Sequence, residues 1–363
     1  MVEIFCMNAY LVFFAIEFAF VFGARCLGLK NRLVVLVPAI VLASMFSGLR
    51  GNIGTDTYSY RFFYNNFHNP DQLAFEPLFS GVALLGEFFN FPDQFFLAAI
   101  SALQAGFLIF LIRCLASKDL FFLFYLATYY VTFQFNLIRF GVALLITGVA
   151  CILASRGRQI NSGILYFIGL ASHFSMILCV PFLKLRRRSL ALSFLLAVLI
   201  VIFVLPLLQT KLDDFSVQGC ENGSWAPTFG VGFVFEVLIC GVILLKQGRI
   251  VDARLVSALF GYMVFRFAGC AIPGADRISM LFGFLFYLFL FVSEITSVTR
   301  ILFVILMIYN FYGTIMFLQK SDDAMQLLVS GNSDFAIYEK THWLPYQFFW
   351  EDDLIENSLF VDN

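Results

Sequence analysis

A succession of long apolar runs, separated by short polar stretches, decides what this chain can fold into. Many of the runs approach the roughly 20 residues that a helix needs to cross a bilayer. Of the 363 residues, 61% are hydrophobic and only 13% are charged, which is more apolar surface than a soluble domain of this size needs. The runs are continuous rather than alternating, which favours helices over a transmembrane β-barrel. We therefore expect an all-α, polytopic helical membrane protein.

The positive charges between the runs predict how the chain is oriented. Arg25, Lys30 and Arg32 follow the first run, and the positive-inside rule places their loop in the cytoplasm. Carried along the chain, the rule predicts about ten spans and an N-terminus outside. The predicted spans are residues 4–23, 33–49, 93–112, 120–135, 138–154, 190–208, 229–245, 255–270, 278–295 and 301–318.

Two apolar segments do not fit this alternation. Residues 76–90 are too short to span, since about 15 helical residues reach only about 22 Å. We interpret them as an interfacial or re-entrant helix. Residues 160–183 have basic clusters on both sides, so both ends are expected in the cytoplasm. They predict a helical hairpin that re-enters the membrane, where protein or water must cover the broken backbone.

The resulting domain organisation is simple. Residues 1–318 are predicted to form a single transmembrane domain. Within it, an outer loop at 50–92 carries the candidate site, the re-entrant hairpin lies at 160–183, and a second outer loop lies at 209–228. Residues 319–363 form an acidic tail with an aromatic stretch, predicted to lie outside. That stretch is interpreted as an interfacial anchor or as a lid that stacks on sugars.

The most unusual polar stretch follows the second apolar run. It begins at Arg50 and ends at Tyr60. It holds Thr55, Asp56 and Thr57 beside two glycines, which permit backbone conformations that other residues resist. Asp56 can accept a proton from a sugar hydroxyl, or it can form a turn with its own backbone. The residues alone favour neither interpretation.

Four arginines lie at or near the outer ends of predicted spans: Arg50, Arg139, Arg266 and Arg277. An arginine at the bilayer centre costs at least about 2.5 kcal/mol, so such residues usually face a cavity or a partner. Each one alone is equally explained by snorkelling to headgroups or by pairing with an acid such as Glu236. Together they favour an anion site, because the guanidinium group suits bidentate binding of phosphate. A lipid-linked diphosphate is the natural anion at this depth.

His173 lies in the middle of the predicted hairpin, next to Ser172 and close to Ser175. A single histidine in an apolar helix usually serves packing. At the tip of a broken segment it can instead carry a proton or donate a hydrogen bond to a phosphate. The eight cysteines show no metal-ligand spacing.

Taken in order, these residues resemble the EpsG / Wzy-type polysaccharide (O-antigen) polymerases of bacterial envelopes. The resemblance extends from about residue 49 to the last span, and one departure is Phe140, where relatives often carry Gln. The matching residues are Arg50, Gly54-Thr55-Asp56-Thr57, Tyr60, Phe75-Glu76-Pro77, Ile138-Arg139, His173-Phe174-Ser175 and Asp276-Arg277.

The resemblance implies a GT-C-like glycosyltransferase in the bacterial inner membrane, active at its periplasmic face. Its substrates would be undecaprenyl-diphosphate-linked glycans, which it joins into O-antigen or exopolysaccharide. Membrane lipid and a chain-length regulator are the implied partners; no cofactor, metal or nucleic acid is expected.

The resemblance also assigns roles to individual residues. Arg50, Arg139 and Arg277 would hold the diphosphate, together with Arg266. Asp56 or His173 would orient or deprotonate the acceptor hydroxyl. The site would be lined by Tyr60, Glu76, Thr55 and Thr57.

Two rival functions remain at this point. A flippase for the same lipid-linked oligosaccharide would also need outward arginines, but it should carry polar residues in both halves of the membrane and show pseudo-symmetry. An O-antigen ligase usually uses a long outer loop for the reaction. The longest outer stretch between spans here, at 50–92, is built differently from such a loop.

Overall fold

The computed structural model describes residues 5–28, 32–50, 57–66, 77–184, 231–246, 248, 252–267 and 275–329. These residues form helices joined by short turns, with no β-strand among them, so the all-α prediction is confirmed for this part of the chain. The helices are α1 (Phe5–Cys26), α2 (Leu33–Gly48), α3 (Thr57–Asn66), α4 (Pro77–Phe88), α5 (Asp93–Arg113), α6 (Lys118–Tyr125), α7 (Ile138–Ser155), α8 (Gln159–Ser172), α9 (Val180–Lys184), α10 (Val231–Lys246), α11 (Ala253–Phe267), α12 (Ala275–Phe291) and α13 (Ser297–Val329).

The helices largely coincide with the predicted apolar segments, with two differences. The predicted span at 120–135 begins as α6 but continues as two π-helical segments, Leu126–Tyr130 and Thr132–Asn136. The last helix does not end at Leu318, where the tail was predicted to begin, but continues to Val329. The predicted span at 190–208, the loop at 209–228 and the tail beyond Val329 lie outside the described residues.

Several described helices are long and apolar enough to cross a membrane. Four stretches meet both criteria, and shorter apolar helices accompany them, so the chain is a membrane protein. The four are Ala9–Cys26, Asp93–Arg113, Ile138–Ser155 and Ser297–Met316. The count of ten spans and the GT-C-like arrangement stay predictions.

Helix α7 is the centre of the bundle. Within it 89% of the residues are buried, against 33% of the candidate span in α1 and 22% of that in α13. It contacts α5, α8, α9, α12 and the second π-helical segment. Its burial shows that other helices surround it, and the ends of α7 therefore position whatever they carry.

The segment after α7 turns back on itself at His173. α8 runs antiparallel to α7, with Ser162 Oγ donating to the carbonyl of Ala150 at 2.9 Å. His173 reaches the first turn of α7, where its ring meets the edge of Phe140 at 5.5 Å. A 3₁₀ helix (Phe174–Cys179) and α9 then return along α7. How this hairpin sits in a membrane stays a prediction.

Gly141 allows the start of α7 to pack tightly against the π-helical segment. A Cβ built there would lie 2.7 Å from Phe133 Cβ and 2.9 Å from the Phe133 carbonyl oxygen. Because one of these atoms belongs to the backbone, the clash cannot be relieved by a side-chain rotation. Only glycine permits this approach.

We expect Gly141→Ala to lower the melting temperature of the purified protein in detergent, since overpacking costs about 1–3 kcal/mol. Gly163→Ala is the matched control, because a Cβ at Gly163 in α8 meets nothing within 4 Å. Equal melting temperatures for the two variants would show that the contact with Phe133 does not constrain the bundle.

Candidate functional site

Arg50 lies at one end of the bundle, where α2, α3 and the second π-helical segment meet. Its side chain is fully buried. Nη1 donates to the carbonyls of Ser47 and Gln134, both at 2.7 Å, and Nε donates to Thr57 Oγ1 at 3.2 Å. The guanidinium carbon also lies 5.1 Å from the centre of the Phe135 ring. Arg50 therefore holds three chain segments together.

Two glutamines of α5 satisfy further carbonyls at the same end. Gln94 Nε2 donates to the carbonyl of Gly48 at 2.6 Å and to that of Arg50 at 3.1 Å. Gln104 Nε2 donates to the carbonyls of Phe133 and Ile138, both at 3.0 Å. The last carbonyls of a helix have no partner within it, so Gln94 supplies a donor at the end of α2, and Gln104 fixes the turn that precedes α7 by binding carbonyls on both sides of it.

Arg139 is the second residue of α7 and is held by Tyr60 of α3. The backbone N and the Nε of Arg139 both donate to Tyr60 Oη, at 3.4 and 3.3 Å. Its guanidinium carbon lies 5.8 Å from the centre of the same ring. The ion pair of Arg61 Nε with Asp93 Oδ2, at 2.8 Å, fastens α3 to α5. Unlike Arg50, Arg139 is only half-buried.

Arg139, Arg277 and His173 form one group, called here the cationic site. Arg277 lies in the first turn of α12, just as Arg139 lies in the first turn of α7. Both guanidinium groups are close enough to act electrostatically on the His173 imidazole. The N-terminus of a helix presents N–H groups and a positive dipole end. The first turns of α7 and α12 thus each place an arginine within electrostatic reach of one histidine, an arrangement suited to an anion.

The local backbone defines the tautomer of His173. Its Nδ1 accepts from the backbone N–H of Ser175 at 3.3 Å and lies 2.7 Å from Ser175 Oγ, capping the 3₁₀ helix. A ring nitrogen that accepts from an N–H does not carry a proton, so the neutral imidazole bears its hydrogen on Nε2. His173 is therefore a hydrogen-bond donor through Nε2.

Arg266 lies elsewhere, in a second polar region. It lines a cavity together with Glu236 of α10, Tyr262 of α11 and Asn310 of α13. None of the cationic-site residues is among the described residues that line this cavity. The sequence grouped Arg266 with the other arginines because all four lie near span ends, but position along a helix does not determine which side of the bundle a residue faces.

The structure places some predicted site residues together and leaves others outside its description. Thr57 is fully buried and Tyr60 nearly so, and both contact the arginines described above. Thr55, Asp56 and Glu76 lie outside the described residues.

Sequence reasoning missed several polar residues that shape this end of the bundle. Gln94, Ser101 and Gln104 lie on the buried face of α5, and polar residues recurring at helical spacing in an apolar span are the signal that would have revealed them. Asn310 was also missed.

The bundle and its cationic site define a polytopic helical membrane protein with an anion-binding character at one end. The model of the EpsG family matches residues 33–348, a range that includes every residue of the cationic site. The chain belongs to the EpsG family, which confirms the resemblance and makes it a membrane protein of polysaccharide biosynthesis. No curated protein and no solved structure matches the chain.

We expect Arg50→Ala to destabilise the protein strongly, whereas Arg139→Ala leaves its stability nearly unchanged. A hydrogen bond from a charged group contributes about 1.5–3 kcal/mol, and loss of Arg50 leaves two buried carbonyls without that donor. The melting temperatures of the two purified variants measure the difference. Comparable melting temperatures would refute a structural role for Arg50.

Proposed function

We propose that this protein is a polysaccharide polymerase that transfers a growing glycan from undecaprenyl diphosphate to the end of a new lipid-linked repeat unit. The reaction would take place at the periplasmic face of the bacterial inner membrane. Membership of the EpsG family supports the class of reaction. The geometry of the cationic site supports the diphosphate donor.

The observation that carries this proposal is that Arg139 and Arg277 both lie within electrostatic reach of His173, whose ring contacts Phe140, the neighbour of Arg139 in α7. Each arginine occupies the first turn of its helix, so the helix dipoles add to the guanidinium charges. A departing diphosphate gains negative charge as the glycosidic bond breaks, and fixed positive groups stabilise that charge without having to reorganise. Arg50 supports the site indirectly, because its hydrogen bonds to the carbonyls of Ser47 and Gln134 hold the backbone in place.

The proposed transfer uses these arginines together with Asp56, whose role as base comes from the resemblance, which assigns it to Asp56 or His173; Asp56 lies outside the described residues. The acceptor hydroxyl oxygen attacks the anomeric carbon of the donor, and the bond from that carbon to the diphosphate oxygen breaks. The diphosphate leaves with the bonding electrons and is held by Arg139 and Arg277, while the hydroxyl proton passes to Asp56. His173 donates its Nε2 hydrogen to a phosphate oxygen, in keeping with the tautomer that Ser175 imposes.

An apolar cavity between α5, α7 and α8 suits the polyprenyl chain. Its volume is about 290 Å³, and the described residues that line it are all apolar. Val149 in this lining is ten residues beyond Arg139 along α7, which is about 15 Å at the helical rise per residue. A lipid with its diphosphate at Arg139 would extend in this direction. The lining residues are Leu103, Gly106, Phe107, Phe110, Val149 and Leu165.

We expect Arg139→Ala and Arg277→Ala each to abolish glycan elongation while the protein is still made and inserted, because each removes a charge that stabilises the leaving diphosphate. The measurement is the ladder of polymer lengths on a gel, with purified protein given lipid-linked units already on the product side. A flippase would leave those units at their original length.

Arg113→Ala is the control for these two variants, since Arg113 is an exposed arginine at the opposite end of α5. It should give the normal ladder. Normal ladders from both Arg139→Ala and Arg277→Ala would refute the diphosphate assignment.

We expect His173→Gln to retain part of the elongation rate and His173→Ala to lose most of it. A glutamine amide can replace the Nε2 donor, but it cannot serve as a base. Initial rates with purified protein compare the two variants. If His173→Gln is as inactive as His173→Ala, and the wild-type rate rises with deprotonation of a single group near neutral pH, His173 is a base and the donor role is wrong.

A further inference from the structure

A second polar cavity lies in the bundle next to the cationic site, since Ser279 and Met280 of its lining follow Arg277 within one turn of α12. Its volume is about 160 Å³, and it lies where α10, α11, α12 and α13 meet the π-helical segments. Of its nine described lining residues, only Met280 lacks a polar side-chain group. A cavity of about 150 Å³ accommodates a benzene ring, so this one has room for a single six-membered ring with polar contacts on most sides.

The charges of the lining select against an anion. Glu236 and Arg266 both line the cavity, so their formal charges cancel and a phosphate would meet a carboxylate. The other polar groups are neutral hydroxyls and an amide, from residues that include Thr132, Ser279 and Asn310. Convergent neutral donors and acceptors around one charged pair suit an uncharged ligand that carries several hydroxyls.

Glu236 is held rigidly with acceptor capacity left over. Its Oε2 accepts from Tyr262 Oη at 2.6 Å, and its Oε1 accepts from Tyr287 Oη at 2.8 Å. An ionised carboxylate offers about four acceptor positions and no donor, so each oxygen can accept one further hydrogen. An ionisable side chain within an apolar bundle is costly and usually serves a function.

The π-helical backbone brings more polar groups to the same place. The segments Leu126–Tyr130 and Thr132–Asn136 contribute Thr128, Tyr129 and Thr132 to the lining. Helix α13 stabilises this distortion, because Thr314 Oγ1 donates to the Ala127 carbonyl at 3.0 Å and Asn310 Nδ2 donates to Thr128 Oγ1 at 3.2 Å. π-helical turns are rare and occur frequently at functional sites.

A row of aromatic rings connects this cavity with the cationic site. Tyr129 of the cavity stacks on Phe133 at 5.0 Å, Phe133 meets Phe140 at 5.8 Å, and Phe140 meets His173 at 5.5 Å. His173 and the cavity therefore lie at opposite ends of one short row of packed rings, while Arg277 lies within one helical turn of Met280 in the cavity lining.

We propose that this cavity binds one sugar ring of the lipid-linked glycan, with Glu236 and Asn310 contacting its hydroxyls. This inference rests on the proposed function, since it names the part of that substrate which the cavity recognises. Glu236 acts here in binding, while the transfer itself takes place at the cationic site.

The test compares two ligands on the purified full-length protein in nanodiscs. One probe is undecaprenyl diphosphate without sugar, and the other is the host's undecaprenyl-diphosphate-linked repeat unit. Dissociation constants are measured for the wild type, Glu236→Gln, Asn310→Leu and Arg139→Ala. Glu17→Gln is the control, because Glu17 is a buried glutamate of another apolar helix and is not among the described residues that line the cavity.

We expect Glu236→Gln and Asn310→Leu to weaken binding of the repeat unit by about tenfold or more and to leave binding of the bare undecaprenyl diphosphate unchanged. Arg139→Ala should weaken binding of both ligands, and Glu17→Gln should match the wild type with both. If Glu236→Gln does not fold, Asn310→Leu decides the question.

Either of two results would overturn the inference. The first is that the cavity variants bind the repeat unit as tightly as the wild type does. The second is that they lose affinity for both ligands in equal proportion, which is the result expected of a purely structural network. Failure of the wild type to bind even bare undecaprenyl diphosphate would instead refute the proposed function, and the sugar assignment with it.

Discussion

The need to satisfy backbone carbonyls in an apolar environment determines how this end of the bundle is built. Away from water, a carbonyl without a partner costs free energy, and irregular backbone survives only where protein provides donors. The helices are interrupted at the end of α2 and before α7, and the last carbonyls of α2 have no partner within their own helix. Gln94 of α5 donates to the carbonyls of Gly48 and Arg50, and Gln104 donates to those of Phe133 and Ile138 on either side of the turn before α7. These hydrogen bonds make the two interruptions, at the end of α2 and before α7, rigid.

That rigidity has a direct consequence for the cationic site. Arg139 follows immediately after the turn that Gln104 secures, and Tyr60 holds its guanidinium group from the neighbouring α3. The charge is therefore positioned by packed helices before any ligand arrives. A fixed charge stabilises a leaving diphosphate better than a mobile one, because no reorganisation is needed during the reaction. Arg50 adds to this rigidity by holding the backbone carbonyls of Ser47 and Gln134.

The sequence predicted the helices well because apolar runs and their flanking charges are local signals. It predicted α6 as a regular span because the π-helical turns depend on distant donors, such as Thr314 for the Ala127 carbonyl. The same limit applies to the arginines. Their membrane level could be predicted from the run ends, but the sequence could not reveal that Arg50 faces the Gln134 carbonyl while Arg266 faces the cavity of Glu236. Such directions arise from contacts between segments far apart in the chain.

The difference in charge between the two polar regions would give the proposed substrate an orientation. At the cationic site, the two arginines and two helix N-termini would attract a diphosphate and offer little to a neutral sugar. At the second cavity, the formal charges of Glu236 and Arg266 cancel, and Glu236 already accepts hydrogen bonds from the hydroxyls of Tyr262 and Tyr287. Under the proposed function, the diphosphate would bind at the cationic site and a sugar would enter the second cavity. The lipid would then lie toward α5, α7 and α8, and the sugar toward α10 and α13.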